Sequence, residues 1–134
     1  MEHRVSYKVY YEDTDCLGVV YYANYLRFME RGRSEFLGAH GRSVAEWNSQ
    51  GVLLVVHALT MKFRKAAVLG DMLDVVSTFT LDSVFRGTFH QRLERAGELV
   101  VDAEVQIVCL DPDLQLIRFP EDLRALAAAG HPQG

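Results

Sequence analysis

The chain has 134 residues and a net charge of −4, with 49% hydrophobic and 24% charged residues. That is the make-up of one globular domain over 1–134, and without a basic run or an acidic tail it gives no electrostatic support to a nucleic-acid or membrane-surface role. A domain of this length buries roughly two-thirds of its unfolded surface and needs no disulfide or metal. The widely separated Cys16 and Cys109 have no metal-ligand spacing.

Val5, Tyr7, Val9 and Tyr11 alternate with polar residues and predict a first strand over Val5–Asp13. Beyond the Gly18 turn the period changes. Tyr25, Phe28, Met29, Gly32 and Phe36 recur three or four apart, opposite Arg27, Glu30, Arg31, Arg33 and Glu35. This spacing predicts an amphipathic helix from about Tyr22 to Leu37, closed by Gly38. Gly32 costs about 1 kcal/mol of helix propensity relative to Ala, which is reasonable if the helix lies close over a sheet. Ser43 and Glu46 form a capping box for a short helix through Trp47.

After Gly51 the pattern is sheet. Val52–Arg64 reads as one long strand, Leu73–Asp82 as a second, and Thr88–Arg95 as a third after the Arg86-Gly87 turn. Leu99–Leu110 has a period of two over a dozen residues, with Leu99, Val101, Val105 and Cys109 on one face. Val100 and Val108 are expected on the other face, which favours pairing with a second copy. A short strand over Leu116–Phe119 and a helix over Glu121–Ala129 precede a frayed tail from Gly130 to Gly134. Strands this long curl, so one sheet wrapped around one helix is the expected α+β architecture. No apolar run approaches the ~20 residues of a membrane span. No apolar targeting segment follows Met1, and a cytoplasmic location without membrane insertion is expected.

The stretch DTDCLGVVYYANYLRFMERGRSEFL, from Asp13 to Leu37, resembles the hotdog-fold acyl-CoA thioesterases of the 4-hydroxybenzoyl-CoA thioesterase superfamily, and within it the YbgC-type (tol–pal-associated) branch. The likeness extends from the first strand to Leu69-Gly70-Asp71, which opens a long strand. It implies a homodimer whose sheets join edge to edge, paired again into a homotetramer, with active sites at the dimer interface. It implies an acyl-CoA or acyl-carrier-protein thioester as substrate and no cofactor. Its catalytic carboxylate matches Asp15, and its carbonyl-polarising backbone N–H matches Tyr22. Two departures are visible: many YbgC-type members carry His where this chain has Tyr22, and Lys65-Ala66-Ala67 lacks a proline usual in that loop.

The chemistry suits these residue types. A helix N-terminus has unpaired N–H groups and a charge of roughly +0.5, which stabilises an oxyanion without a charged side chain. Asp15, seven residues earlier across the Gly18 turn, is expected to face the same carbonyl and to act as base on water or as nucleophile. The thiol leaving group, with a pKa of about 8.5 on the cysteine scale, departs without a strong general acid. Asp13 is expected to hold the turn or the helix end. Tyr21 and Tyr25 are candidates to line an acyl pocket, and Arg64, Lys65 and Arg86 to hold the CoA phosphates at its rim. Against these readings stand plain ones: a solvated capped turn for Glu12-Asp13-Thr14-Asp15, core packing for the aromatics, surface charge for the basic residues, and sheet positions for His57 and His90. No EF-hand spacing marks a metal site. The rival functions are a non-catalytic acyl-CoA or acyl-carrier binding module and a hotdog hydroxyacyl dehydratase, whose histidine is missing from Tyr21–Leu37. A cone-shaped α+β fold with its pocket inside one subunit is the rival architecture.

Overall fold

Two-residue alternation builds the strands, and a single missing side chain lets the helix rest on them. A computed structural model describes residues 2–130; of the tail expected over Gly130–Gly134, Gly130 instead ends the last helix, and 131–134 lie outside the described residues. Strands β1 (His3–Lys8), β2 (Leu53–Phe63), β3 (Met72–Ser83), β4 (Arg86–Arg95) and β5 (Glu98–Leu110) form an antiparallel sheet in the order β1-β3-β4-β5-β2. The two-residue β6 (Leu116–Ile117) joins the end of β5. Helix α1 (Tyr25–His40) lies in the sheet's concave face, α2 (Val44–Ser49) follows it, and α3 (Glu121–Gly130) packs on β3. Ser43 caps α2 as expected: its hydroxyl accepts from Glu46 N–H at 3.1 Å while Glu46 accepts from Ser43 N–H at 2.9 Å. Among the described residues no helix is long and apolar enough to cross a membrane.

The core has two halves along α1. Tyr25, Phe28 and Met29 meet Leu73, Val75, Leu93 and Val101 at the helix N-terminal end. Phe36, Leu37 and Trp47 meet Phe79, Phe89, Ile107 and Phe119 at the other. Gly32 sits at the junction. A Cβ there would come within 2.3 Å of Val75 Cγ1, so the helix approaches the sheet as closely as only glycine allows. Beside it Gln91, wholly buried, donates to Met29 O and to Ser77 Oγ, both at 3.0 Å, and accepts from Arg33 at 3.0 Å. Its amide is thereby satisfied in the dry interior. Gly32→Leu is expected to destabilise the protein by about 3 kcal/mol or more through overpacking, lowering Tm by roughly 10 °C. A thermal melt checks it, and an unchanged Tm would refute the close approach.

Several boundaries differ from the sequence reading. The first strand stops at Lys8 rather than Asp13, because β3 begins at Met72 and offers no ladder beyond it. Tyr11–Asp13 instead forms a 3-10 turn. The first turn at the helix mouth, Tyr22–Asn24, is also 3-10, and α1 runs past Gly38 to His40. The His40 ring packs on Phe36 at 4.6 Å, with its Nδ1 2.8 Å from Phe36 O, which extends the last turn. Val100 does not lie on the outer face. A register shift pairs Leu93 with Val101 but Glu94 with Leu99, and this bulge turns Val100 into the core. The last short strand covers Leu116–Ile117 only.

Candidate active site

The segment after β1 is tied down before it reaches the helix. Val9 N–H donates to Asp71 O at 2.8 Å and Val9 O accepts from Gly70 N–H at 3.0 Å. Asp13 is only 4% exposed. Its carboxylate accepts from Tyr10 N–H at 2.9 Å, closing the 3-10 turn. Its carbonyl accepts from Tyr21 N–H at 3.1 Å and from Asn24 Nδ2 at 3.0 Å. Asp13 is therefore the structural member of the acidic trio, joining the turn to the mouth of α1.

Asp15 stands on a small hairpin. Thr14 bridges Val20, Asp15 N–H donates to Val19 O at 2.9 Å, and Gly18 N–H returns to Asp15 O at 3.1 Å. Gly18 closes the turn with φ +79°, and a Cβ there would meet nothing within 4 Å, so glycine is required for the backbone angle rather than for space. Leu17 N–H donates to Asp15 Oδ1 at 2.8 Å, which fixes the carboxylate. The second carboxylate oxygen has no partner among the described residues.

A second loop, 64–71, backs this hairpin. Val20 N–H donates to Ala67 O at 2.8 Å, Leu69 N–H to Gly18 O at 3.2 Å, and Val19 bridges Val68. The loop is held by Asp71, whose Oδ2 accepts from Val68 N–H at 2.9 Å and from Arg95 at 2.8 Å. Arg95 also donates to Ala66 O at 3.0 Å and to Glu98 at 2.7 Å. Burial alone would raise the Asp71 carboxyl, but the Val68 N–H and Arg95 outweigh it and hold it below the usual carboxylate range. A carboxyl depressed in the folded state contributes stability above its unfolded value, about 3.9, and that contribution is lost as pH falls through the folded value. Asp71→Asn should therefore lower Tm at pH 7, and its deficit against the parent should shrink as the pH falls below about 4. A deficit constant from pH 7 to pH 3 would show that the charge of Asp71 is not what holds the loop.

The mouth of α1 is open. The first helical backbone bond runs from Asn24 N–H to Tyr21 O at 2.8 Å, so the N–H groups of Tyr22 and Ala23 precede the ladder and have no intrahelical acceptor. The Tyr22 ring, 62% exposed, lies 4.9 Å from Tyr21 and edge-on to Phe63 at 6.2 Å. Tyr22, Ala23, Leu26, Leu59, Met61 and Phe63 line an apolar cleft of about 280 Å³ between helix and β2.

The expected site residues divide accordingly. Asp15, Gly18, Tyr21 and Tyr22 come together around one hairpin. Arg64 and Lys65 follow Phe63 directly, beside the cleft; Lys65 pairs loosely with Glu98 at 3.5 Å. Tyr25 does not line the opening. It is 3% exposed and its hydroxyl accepts from Ala67 N–H at 3.1 Å, so it supports the loop from within. Arg86 begins β4 at the far end of β3 from Asp71, near Asp82 at 3.6 Å. Within one chain it is remote from Asp15, because the length of a strand intervenes. Cys16 is exposed, Cys109 is buried with its thiol pushed up to about 12 by burial, and His57 and His90 are exposed on the sheet. The sequence reading missed the Asp71–Arg95 clamp and the cleft residues Ala23, Leu26, Leu59, Met61 and Phe63. The inward parity of β2 was the available signal for the last three.

A family profile described as the Thioesterase-like superfamily matches residues 9–126. The chain belongs to that superfamily. It is 42% identical over 109 residues to the acyl-CoA thioester hydrolase YbgC of Escherichia coli O6:H1, covering 78% of this chain and 79% of that protein. It is 35% identical over 120 residues to the acyl-CoA thioesterase YbgC of Haemophilus influenzae, covering 88% of each. A crystal structure of a 1,4-dihydroxy-2-naphthoyl-CoA thioesterase from Synechocystis superposes with a TM-score of 0.90 at 25% identity, over 98% of this chain and 100% of that one. The superfamily's sheet-around-helix architecture, the hotdog fold, is the one described above.

Proposed function

We propose that this protein hydrolyses acyl-CoA thioesters to free acid and CoA at the Asp15 hairpin, as a cytoplasmic homodimer. The supporting observation is the pairing of a fixed carboxylate with free helix-mouth N–H groups beside an apolar cleft. In this reading the thioester carbonyl oxygen sits against the Tyr22 and Ala23 N–H groups, where developing negative charge meets donors already in place. The acyl group lies in the cleft under Tyr22, Leu59 and Phe63. Arg64 and Lys65 meet the CoA phosphates at the rim, and Tyr21 flanks the entrance. The free oxygen of Asp15 takes a proton from water as the water attacks the carbonyl carbon, or attacks that carbon itself to give an acyl anhydride that water then opens. In both routes the C–S bond breaks and the thiolate leaves. The relatives' recorded activities support the same substrate class.

The dimer reading rests on β2, an eleven-residue sheet edge that exposes Val55, Val56, Leu59 and Phe63. Such an edge is a template for a second strand, and pairing of two dimers into a tetramer follows the family resemblance. Two unpaired cysteines suit a reducing compartment. A thiol-release screen across acyl-CoAs of graded length, aryl-CoAs and acyl-carrier-protein thioesters tests the function. Release from at least one thioester is expected. CoA binding with no release from any of them would replace this reading with a non-catalytic binding module.

A further inference from the structure

We propose that Glu30 and Arg33 lock two copies of the chain together, each Arg33 pairing with the partner's Glu30 across a two-fold axis. The inference rests on the homodimer reading and adds the residues that set its register.

The open edge of β2 carries a bulge at His57, between Val56 and Ala58. The bulge switches parity, so that Val56 on one side and Leu59 on the other both turn toward α1. If β2 pairs antiparallel with its own copy along the full length of Leu53–Phe63, the two-fold axis crosses at the midpoint of the strand, Ala58. Leu26, Glu30 and Arg33 of α1 share a cavity of about 250 Å³ with Val56, Leu59 and Val105, so they lie beside that axis.

Arg33 is a poorly matched charge in one chain alone. It is half-buried beside Leu26, Val56, Leu59 and Val105, and its one hydrogen-bond partner among the described residues is the neutral amide oxygen of Gln91 at 3.0 Å. Gln91 is itself fixed by Met29 O and Ser77 Oγ, which holds the guanidinium in place. Among the described residues no carboxylate lies within 4 Å of Arg33, and Glu30 has no cationic partner either. Burial pushes the Arg33 guanidinium below its ordinary value, with Glu30 acting weakly in the other direction. A guanidinium has five N–H donors, and one removed from water without an anionic partner is costly. The two-fold operation brings the same helix face up in reverse. A cation and an anion one turn apart then each meet their opposite, twice per dimer.

The test is a charge exchange. The parent, Glu30→Arg and Arg33→Glu are compared for dimer dissociation by sedimentation equilibrium, then mixed pairwise and weighed by native mass spectrometry. The parent should be a dimer or a pair of such dimers. Each variant alone should dissociate at least tenfold more readily, because four like charges face one another. A one-to-one mixture of the two variants should form heterodimers well above the statistical half, since that pairing restores both opposite-charge contacts. Glu30 is exposed and outside the Gln91 network, so Glu30→Arg remains decisive if Arg33→Glu folds poorly. A Glu30→Arg dimer as tight as the parent, or a mixture at the statistical ratio, overturns the lock. So does an Arg33→Glu protein that dimerises normally while losing thiol release, which would assign Arg33 to the acyl group. A parent that sediments as a monomer would overturn the homodimer reading itself, which separates the two failures.

Discussion

Asp15→Asn is expected to reduce kcat for acyl-CoA hydrolysis by about 10²–10⁴-fold, with Tm and CoA affinity close to those of the parent. Asp15 uses one carboxylate oxygen structurally, as acceptor for Leu17 N–H. An asparagine keeps an oxygen there and preserves the turn, while losing both the basicity and the nucleophilicity of the free oxygen. The variant therefore separates the two duties of one side chain. Steady-state thiol release with a thermal melt reads both. A rate within tenfold of the parent would remove Asp15 from the chemistry. A large fall in Tm would mean that the hairpin needs the charge.

The second large effect is expected at a position whose phenolic hydroxyl should matter little. Tyr22→Pro removes one backbone N–H, and the local backbone is ready for it. Tyr22 opens the 3-10 turn, where an N–H is free in any case, and Tyr21 has φ −63° and ψ 127°, the extended conformation that a residue before proline adopts. Loss of one oxyanion donor should lower kcat by about 10²–10³-fold. Tyr22→Phe, which keeps the N–H and the ring's contact with Phe63, should stay near the parent rate. If Tyr22→Phe falls as far as Tyr22→Pro, the hydroxyl and not the backbone is at work. If neither falls, the carbonyl is held elsewhere.

Much of this architecture was legible because it is written in local periods. Residues 99–110 read as a strand from alternation alone, and Ser43 with Glu46 announced α2. Gly32 amid an apolar helical stripe foretold contact with the sheet, now seen in the 2.3 Å approach that a Cβ would make to Val75. The same period misled where a distant partner decides the outcome. Val9 and Tyr11 keep the strand pattern, yet the ladder ends where β3 ends, and the Asp13 carboxylate curls the chain back on Tyr10. Val100 alternates outward in sequence and is turned inward by a bulge visible only against β4.

The candidate site was legible to a similar degree. The acidic trio and the Gly18 turn stood out, and Asp13 was expected to be structural. Tyr25 looked like a pocket residue because helical spacing shows which face a side chain is on but not what its hydroxyl meets, here Ala67 N–H forty-two residues away. Arg86 looked like a phosphate ligand because turn charges carry no address. The sheet puts it a strand's length from Asp15 in the same chain. Arg95 gave no signal, since its value to the site comes from reaching Asp71 and Ala66 across two strands.

The measurement that bears most directly on the account is a crystal structure of Asp15→Asn holding an intact acyl-CoA. The account predicts the thioester carbonyl oxygen about 3 Å from the Tyr22 or Ala23 N–H, the side chain at position 15 on the opposite side of the carbonyl carbon, and the acyl group in the cleft beside Phe63. A carbonyl bound away from the helix mouth, or a position-15 side chain turned from the carbon, would contradict it.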